Sequence, residues 1–188
     1  MSAACTVVGL AIVSEDDRIA DAAGAMPASL RNDADWRRFQ AELDKASLVV
    51  LGRLGHEAHA NTKQRPRMVV SSRSSGLERR SDAWWWNPAR LSWADALARA
   101  APQGGIIAVP GGQGVFDLFL ELGYDAFHLT RAHGVTIPNG RTLFSGLSAN
   151  RTAEAVLAGR GLLPGPAETI DPAGPVTLTV WRRVRSGA

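Results

Sequence analysis

The chain has 188 residues, of which 45% are hydrophobic, and its formal net charge is +3. This length suits one domain with a single core, and the hydrophobic content disfavours an intrinsically disordered chain. The arginines are scattered along the sequence, whereas a nucleic-acid-binding protein concentrates its cations on one face. We therefore expect no nucleic-acid partner.

The N-terminal apolar run ends at Val13, before the polar segment Ser14-Glu15-Asp16-Asp17. It is too short to span a membrane, and no basic segment precedes it as in a signal peptide. Cys5 is the only cysteine, which excludes an intramolecular disulfide. The pair His56 and His59 lacks a nearby acidic cluster, so we predict no metal site. A cytoplasmic protein that does not bind membranes is expected.

Apolar runs and their periodicity predict the elements in chain order. A loop with Met26-Pro27 is expected at 20–29, and Ser92 is expected to cap a helix together with Asp95. Strands are predicted at 6–13, 47–51, 66–72, 82–86, 106–109 and 126–131, and helices at 33–43 and 115–122. Two late segments, 153–157 and 176–184, are interpreted as the last strands, joined by a long loop at 161–175.

Strands that alternate with helices in the first two thirds of the chain indicate a parallel sheet. No helix is predicted between the last strands, which favours an antiparallel hairpin at the sheet edge. We therefore predict one α/β domain over residues 1–188. It has a central, mostly parallel sheet, helices on both faces and an antiparallel C-terminal edge strand.

The most informative local pattern is the glycine turn of Gly111, Gly112 and Gly114, which follows a buried strand and precedes an apolar helix. Glycines at such a turn let backbone N–H groups approach a ligand, and the helix N-terminus favours an anion. The pattern is compatible with a phosphate site and equally with a tight turn that needs positive φ. It is not the GxGxxG fingerprint.

Three features occur in a definite order: Met26-Pro27 before the segment Asp35-x-x-x-Phe39, then Gly52-Arg53 after a strand, then the glycine turn with Thr130 on the next strand. This ordered set resembles the dihydrofolate reductase family from about residue 6 to 144, and more loosely at 178–183. The resemblance implies an NADPH-dependent oxidoreductase that reduces 7,8-dihydrofolate to 5,6,7,8-tetrahydrofolate by hydride transfer.

The resemblance implies that Asp35 holds the pterin and supports its protonation at N5, with Thr130 hydrogen-bonded to the carboxylate. Desolvation between Trp36 and Phe39 would raise the pKa of Asp35. Asp33 is the alternative carboxylate. The implied catalytic residues are Asp35 and Thr130, and the implied substrate-binding residues are Val8, Asp35, Phe39, Arg65 and Val109. Arg65 would grip the glutamate tail of folate, and its neighbour Arg67 is interpreted as solvated.

The resemblance also implies where the cofactor lies. Arg53, Ser71 and Ser72 match positions near the 2′-phosphate, which favours NADPH over NADH, and the glycine pair would be joined by a cis peptide. The implied cofactor-binding residues are Met26, Gly52, Arg53, Ser71, Ser72, Gly111, Gly112, Gln113, Gly114 and Val115.

The chain departs from the family pattern at several site positions. Ala28 stands where the family has tryptophan, and Gly55 where it has a phosphate-binding threonine. His56, Gly114 and Phe116 are further departures. These changes leave two alternatives open: a related reductase of another pterin or of a pyrimidine intermediate of flavin biosynthesis, and a nucleotide-binding homologue without turnover. Both a monomer and a homodimer are compatible with the sequence.

Three consecutive tryptophans, Trp84 to Trp86, are unusual in a short strand. Alternate residues of a strand point to opposite faces, so at most two of the three share a side. We interpret them as packing residues of the core or of the sheet edge.

Overall fold

The secondary structure follows the apolar runs of the sequence. The computed structural model describes residues 4–184. Within that range the strands are β1 (Cys5–Ser14), β2 (Arg18–Ala20), β3 (Leu48–Gly52), β4 (Arg67–Val70), β5 (Leu77–Arg79), β6 (Trp84–Trp86), β7 (Gly105–Gly111), β8 (Ala126–Ala132), β9 (Arg141–Thr142), β10 (Leu162–Asp171) and β11 (Val176–Arg183). The α-helices are α1 (Asp33–Lys45), α2 (Arg53–Ala58), α3 (Trp93–Ala100), α4 (Gln113–Leu122) and α5 (Ala153–Gly159), and a single 3-10 turn covers Ala28–Leu30.

Nine of these strands form one sheet in the order β10-β11-β8-β1-β7-β3-β4-β6-β5, and β2 pairs separately with β9. The six consecutive strands from β8 to β6 are parallel to one another. The pairs β11–β8, β10–β11 and β5–β6 are antiparallel. The predicted α/β fold with a mostly parallel sheet and an antiparallel C-terminal strand is confirmed.

Side-chain alternation along β1 divides the core into two layers. Val7 belongs to a cluster with Phe119 of α4 and Val156 of α5, whereas Val8 belongs to a cluster with Leu43 of α1. Because neighbouring residues of one strand pack against different helices, helices cover both faces of the sheet, as predicted.

The three tryptophans of β6 divide between the two faces. Trp86 is 1% exposed and packs on Trp93 of α3, with ring centroids 5.3 Å apart. Trp85 lies on the opposite face, against the ring of His56 and beneath the guanidinium of Arg80, 4.0 Å from its centroid. The interpretation of these residues as packing residues agrees with this arrangement.

Two predictions near the C-terminus are wrong. Residues 153–157 lie in α5 and not in a strand, because Thr152 caps a helix there by accepting a hydrogen bond from the Ala155 amide at 3.2 Å. Residues 162–171 form β10 and not a loop. An edge strand tolerates proline because one side of it is unpaired, and the ladder of β10 is irregular between Pro164 and Ala167.

The predicted loop at 20–29 is mostly irregular, but β2 and the 3-10 turn enclose it. In the part of the chain described here, no helix is long and apolar enough to cross a membrane. The same residues contain no group of three or more potential metal ligands.

Candidate active site

The carboxyl ends of three parallel strands meet at one edge of the sheet. Leu51 of β3 lies opposite Gly111 of β7, and Gly52 lies opposite Val70 of β4. The residues that follow these strand ends are therefore neighbours: Arg53, Ser71 and the glycine turn. In open α/β sheets ligands bind at the carboxyl ends of the strands.

Asp35 lies in the first turn of α1, which begins where the sequence predicts it. The Asn32 side chain caps this helix, accepting from the amides of Ala34 and Asp35 at 3.0 Å each. Asn32 in turn donates to Asp171 of β10 at 2.7 Å. The start of α1 is therefore tied to the edge strand β10.

The structure brings Asp35 together with Thr130. Thr130 is 3% exposed and lies on β8, close enough to Asp35 for its hydroxyl to lower the pKa of that carboxyl. Burial raises the pKa of Asp35, while the hydrogen bond from Thr130 and the charge of Arg38 oppose the shift. Asp33, the alternative carboxylate, is exposed.

An aromatic pair continues along α1. The rings of Trp36 and Phe39 stack with centroids 5.7 Å apart and an interplanar angle of 27°. Trp36 is nevertheless 57% exposed. Much of the Trp36 indole therefore lies in solvent, whereas the predicted rise of the Asp35 pKa through burial is confirmed.

The guanidinium of Arg65 is already engaged by two residues of α1. Its Nε and Nη2 donate to Oδ1 of Asp44 at 2.9 and 2.5 Å. Nη2 also donates to Oε1 of Gln40 at 2.8 Å. The side chain of Arg65 is 12% exposed and that of Asp44 is 50% exposed.

Arg67 is not solvated as expected but 9% exposed. Its Nη1 donates to the backbone carbonyl of His59 at 2.8 Å and lies 3.4 Å from Nδ1 of His56. Burial lowers the pKa of the Arg67 guanidinium, and the charge of Asp82 opposes that shift. Arg67 belongs to β4, and these contacts link that strand to the C-terminal end of α2.

The glycine turn leaves room beside it. The peptide between Gly111 and Gly112 is cis. A Cβ placed on Gly112 or Gly114 would meet no heavy atom within 4 Å. The following helix α4 has no side-chain cap at its N-terminus, so its first amides are available to an anion. The Gln113 side chain is turned away, since its Nε2 donates to Oγ1 of Thr142 at 2.8 Å.

Arg53 and the Ser71-Ser72 turn lie at the same edge. Nη1 of Arg53 donates to both carboxylate oxygens of Glu57, at 2.9 and 2.8 Å. Ser71 is buried, whereas Ser72 is exposed. The buried Asn87, which directly follows β6, stabilises this turn, because its side-chain amide donates to the carbonyl of Ser72 at 3.1 Å.

The remaining predicted site residues occupy varied positions. Val8 lies opposite Ala108 in the ladder of β1 and β7, and Val109 lies opposite Gly9. Met26 is 42% exposed in the segment before α1. Val115 is buried in the first turn of α4, where its side chain approaches Gly52.

Sequence reasoning did not identify Gln40, Asp44, Glu57 or Asn87 as site residues. The spacing of Arg53 and Glu57 by four residues on a helix is a recognisable ion-pair signal. The contact between Asp44 and Arg65 has no such signal, because 21 residues separate them.

No family model and no curated protein matches the sequence. Solved structures are nevertheless similar. A protein from Shewanella sp. PV-4, provisionally assigned to riboflavin biosynthesis, has a TM-score of 0.65 at 17% identity, over 96% of this chain and 99% of that one. Dihydrofolate reductase from Enterococcus faecalis, in complex with NADP(H) and RAB-propyl, has a TM-score of 0.64 at 18% identity, over 98% of this chain and 100% of that one.

These similarities define the class of fold. At such identities they show the architecture alone: the chain has a dihydrofolate-reductase-like α/β fold, as the sequence resemblance implies.

Proposed function

We propose that this protein is an NADPH-dependent oxidoreductase that reduces a ring with a 2-amino-4-oxopyrimidine edge. The first candidate substrate is 7,8-dihydrofolate, which would be reduced to 5,6,7,8-tetrahydrofolate. The observation that carries the proposal is the half-buried Asp35 paired with the buried Thr130. Asp33, in the same turn of α1, is exposed, whereas Asp35 lies against a strand of a sheet whose carboxyl edge holds a glycine turn.

The residues at that edge fit a dinucleotide cofactor. The open space beside Gly112 and Gly114 would accept the pyrophosphate, which the first amides of α4 can bind. Arg53 and the exposed Ser72 would face the 2′-phosphate. When bound, NADPH supplies the hydride, and the protein supplies position and charge.

Asp35 has two roles in this proposal. Its carboxylate would accept hydrogen bonds from the 2-amino group and N3 of the ring, a charge-assisted arrangement. Reduction of the N5=C6 bond adds hydride at C6 and a proton at N5. The negative charge of Asp35 would favour the protonated N5, and water would carry the proton to it.

To test this, the protein is mixed with NADPH and dihydrofolate, and the rate of NADPH oxidation is measured from the absorbance of the reduced nicotinamide. Asp35→Asn should lower turnover at least about 100-fold and leave NADPH affinity unchanged. Asp33→Asn is the matched control and should be nearly silent, because Asp33 is exposed. Equal turnover by the wild type and both variants would show that neither carboxylate acts in the reaction.

The second candidate is reduction of a pyrimidine intermediate of flavin biosynthesis. This candidate is supported by the similarity of the fold to the Shewanella protein and by a pyrimidine edge that Asp35 would bind in the same way. The same assay with that pyrimidine as substrate distinguishes the two. NADPH binding without oxidation by either substrate would instead support the nucleotide-binding homologue, to which the departures at Ala28 and Gly55 point.

A further inference from the structure

A row of polar side chains lies between α1 and β8. Asp35, Arg38 and Glu42 follow one another at spacings of three and four residues on α1, which places them on one face of the helix. His128 and Thr130 are two residues apart on β8 and therefore point to the same face of the sheet. Thr130 acts on Asp35, and Glu42 acts on His128. The two rows therefore face each other, and Asp35 lies at one end of them.

Most ionisable groups around this row are neutral or already paired. Glu42 accepts a hydrogen bond from Nζ of Lys45 at 2.8 Å. Burial lowers the pKa of His128, which favours its neutral ring, and the charge of Arg182 on β11 acts in the same direction. On β10, Asp171 accepts from the side chain of the helix cap Asn32. In the part of the chain that the structure describes, none of these groups shifts the pKa of Asp35.

Arg38 is the charged residue that does act on Asp35. It lies three residues further along α1, a spacing that separates two Cβ atoms by about 5–6 Å. Arg38 is half-buried, and within residues 4–184 its guanidinium makes no hydrogen bond and no ion pair. Its charge acts on Asp35 and on Glu42. An opposite charge at this distance favours the ionised carboxylate, whereas burial favours the neutral acid.

We propose that Arg38 is a positioning residue whose cation keeps the Asp35 carboxylate charged within its half-buried site. This inference rests on the proposed binding of a pyrimidine edge at Asp35. That binding needs an anion, because the 2-amino group and N3–H of the ring both donate hydrogen bonds and N5 gains a proton. With Arg38 in place, the site selects an edge that only donates, and it does so at neutral pH.

The first experiment needs no substrate. Arg38→Met removes the cation and keeps an apolar stem. Because the charge helps Asp35 only when Asp35 is ionised, the variant should lose at least about 2 °C more in unfolding temperature at pH 7 than at pH 3. This difference between the two pH values should disappear when Arg38→Met is made in Asp35→Asn. It should persist in Glu42→Gln, which removes the other carboxylate on which Arg38 acts.

Two variants serve as controls. Arg37 is the neighbouring arginine of α1 and is exposed, so Arg37→Met should show no loss that depends on pH. Arg38→Lys keeps the charge and should restore the wild-type behaviour. A loss in Arg38→Met that is equal at both pH values, or unchanged by Asp35→Asn, would mean that Arg38 only packs, and it would overturn the proposal. So would an equal loss in Arg37→Met.

Turnover separates this inference from the proposed function. On the acidic side of the pH profile, the midpoint of NADPH oxidation should rise by at least about half a pH unit in Arg38→Met. It should not move in Arg37→Met or Arg38→Lys, and an unshifted profile of Arg38→Met would contradict the assignment. If the wild type reduces neither dihydrofolate nor the pyrimidine, the proposed function fails, and the unfolding temperatures still decide whether Arg38 keeps Asp35 charged.

Discussion

Alanine at the two glycines of the turn between β7 and α4 should separate folding from ligand binding. Gly111 has φ +106°, and a Cβ placed on it would lie 2.5 and 2.8 Å from two ring atoms of Phe116. Phe116 is 2% exposed and packs among Phe127 and Phe144. The ring therefore has little room to move.

The cost of Gly111→Ala follows from these two features. A non-glycine residue at this φ costs about 1–3 kcal/mol, and overpacking a core costs about 1–3 kcal/mol. Together they lower the free energy of unfolding by about 2–6 kcal/mol. For a chain of this length the unfolding midpoint should fall by about 5–20 °C.

Gly112→Ala is the matched variant. Gly112 has φ −78°, which any residue adopts, and its Cβ would meet nothing within 4 Å. Its stability should stay within about 0.5 kcal/mol of the wild type. If the open space receives the cofactor, NADPH affinity should fall at least tenfold, measured by calorimetry.

Thermal unfolding and NADPH titration of both variants test this reasoning. Wild-type stability of Gly111→Ala would refute the steric argument at Phe116. Wild-type NADPH affinity of Gly112→Ala would show that the cofactor does not lie against the turn.

Three further predictions concern stability and cofactor choice. Burial raises the pKa of Asp35 above the ordinary value of 3.8, so the folded protein loses stability as the pH rises through this raised pKa. Asp35→Asn should therefore unfold at a higher temperature than the wild type at about pH 7. At about pH 3, where the wild-type carboxyl is also neutral, both should unfold at the same temperature. Glu57→Gln should free Arg53 and tighten NADPH binding up to about fivefold, with NADH binding unchanged as the control in the same titration. Asn87→Ala should lower the free energy of unfolding by about 2 kcal/mol. It removes two hydrogen bonds, of 3.1 and 2.8 Å, to backbone carbonyls of the 71–74 turn. Urea unfolding measures this loss, and a change below about 0.5 kcal/mol would contradict the prediction.

Local chemistry explains which parts of the fold were predictable. The runs of β-branched residues at β1 and β3 and the stripe of α4 are strong periodic signals, and their elements lie where the sequence places them. The Ser92 cap is equally local: its hydroxyl accepts from the Asp95 amide at 3.1 Å. The prediction at α5 is wrong because seven residues are too few for helical periodicity to outweigh an apolar run.

The site divides in the same way. The Asp35-x-x-x-Phe39 spacing and the glycine pair can be found in the sequence, because each motif consists of a few consecutive residues. The roles of these residues in substrate and cofactor binding stay predictions. The exposure of single side chains was less predictable. Trp36 is mostly exposed and Arg67 is buried, because the exposure of a side chain depends on which distant parts of the chain pack against it.

The sequence by itself determined the central strands of the sheet, the acidic start of α1 and the glycine turn, because these depend on neighbours within a few residues. Only the tertiary structure decided that β10 extends the sheet, that residues 153–157 form a helix and that Asp44 pairs with Arg65. Asp44 and Arg65 are 21 positions apart along the chain. Such pairs depend on sheet order and helix docking, and the global packing of the chain sets both.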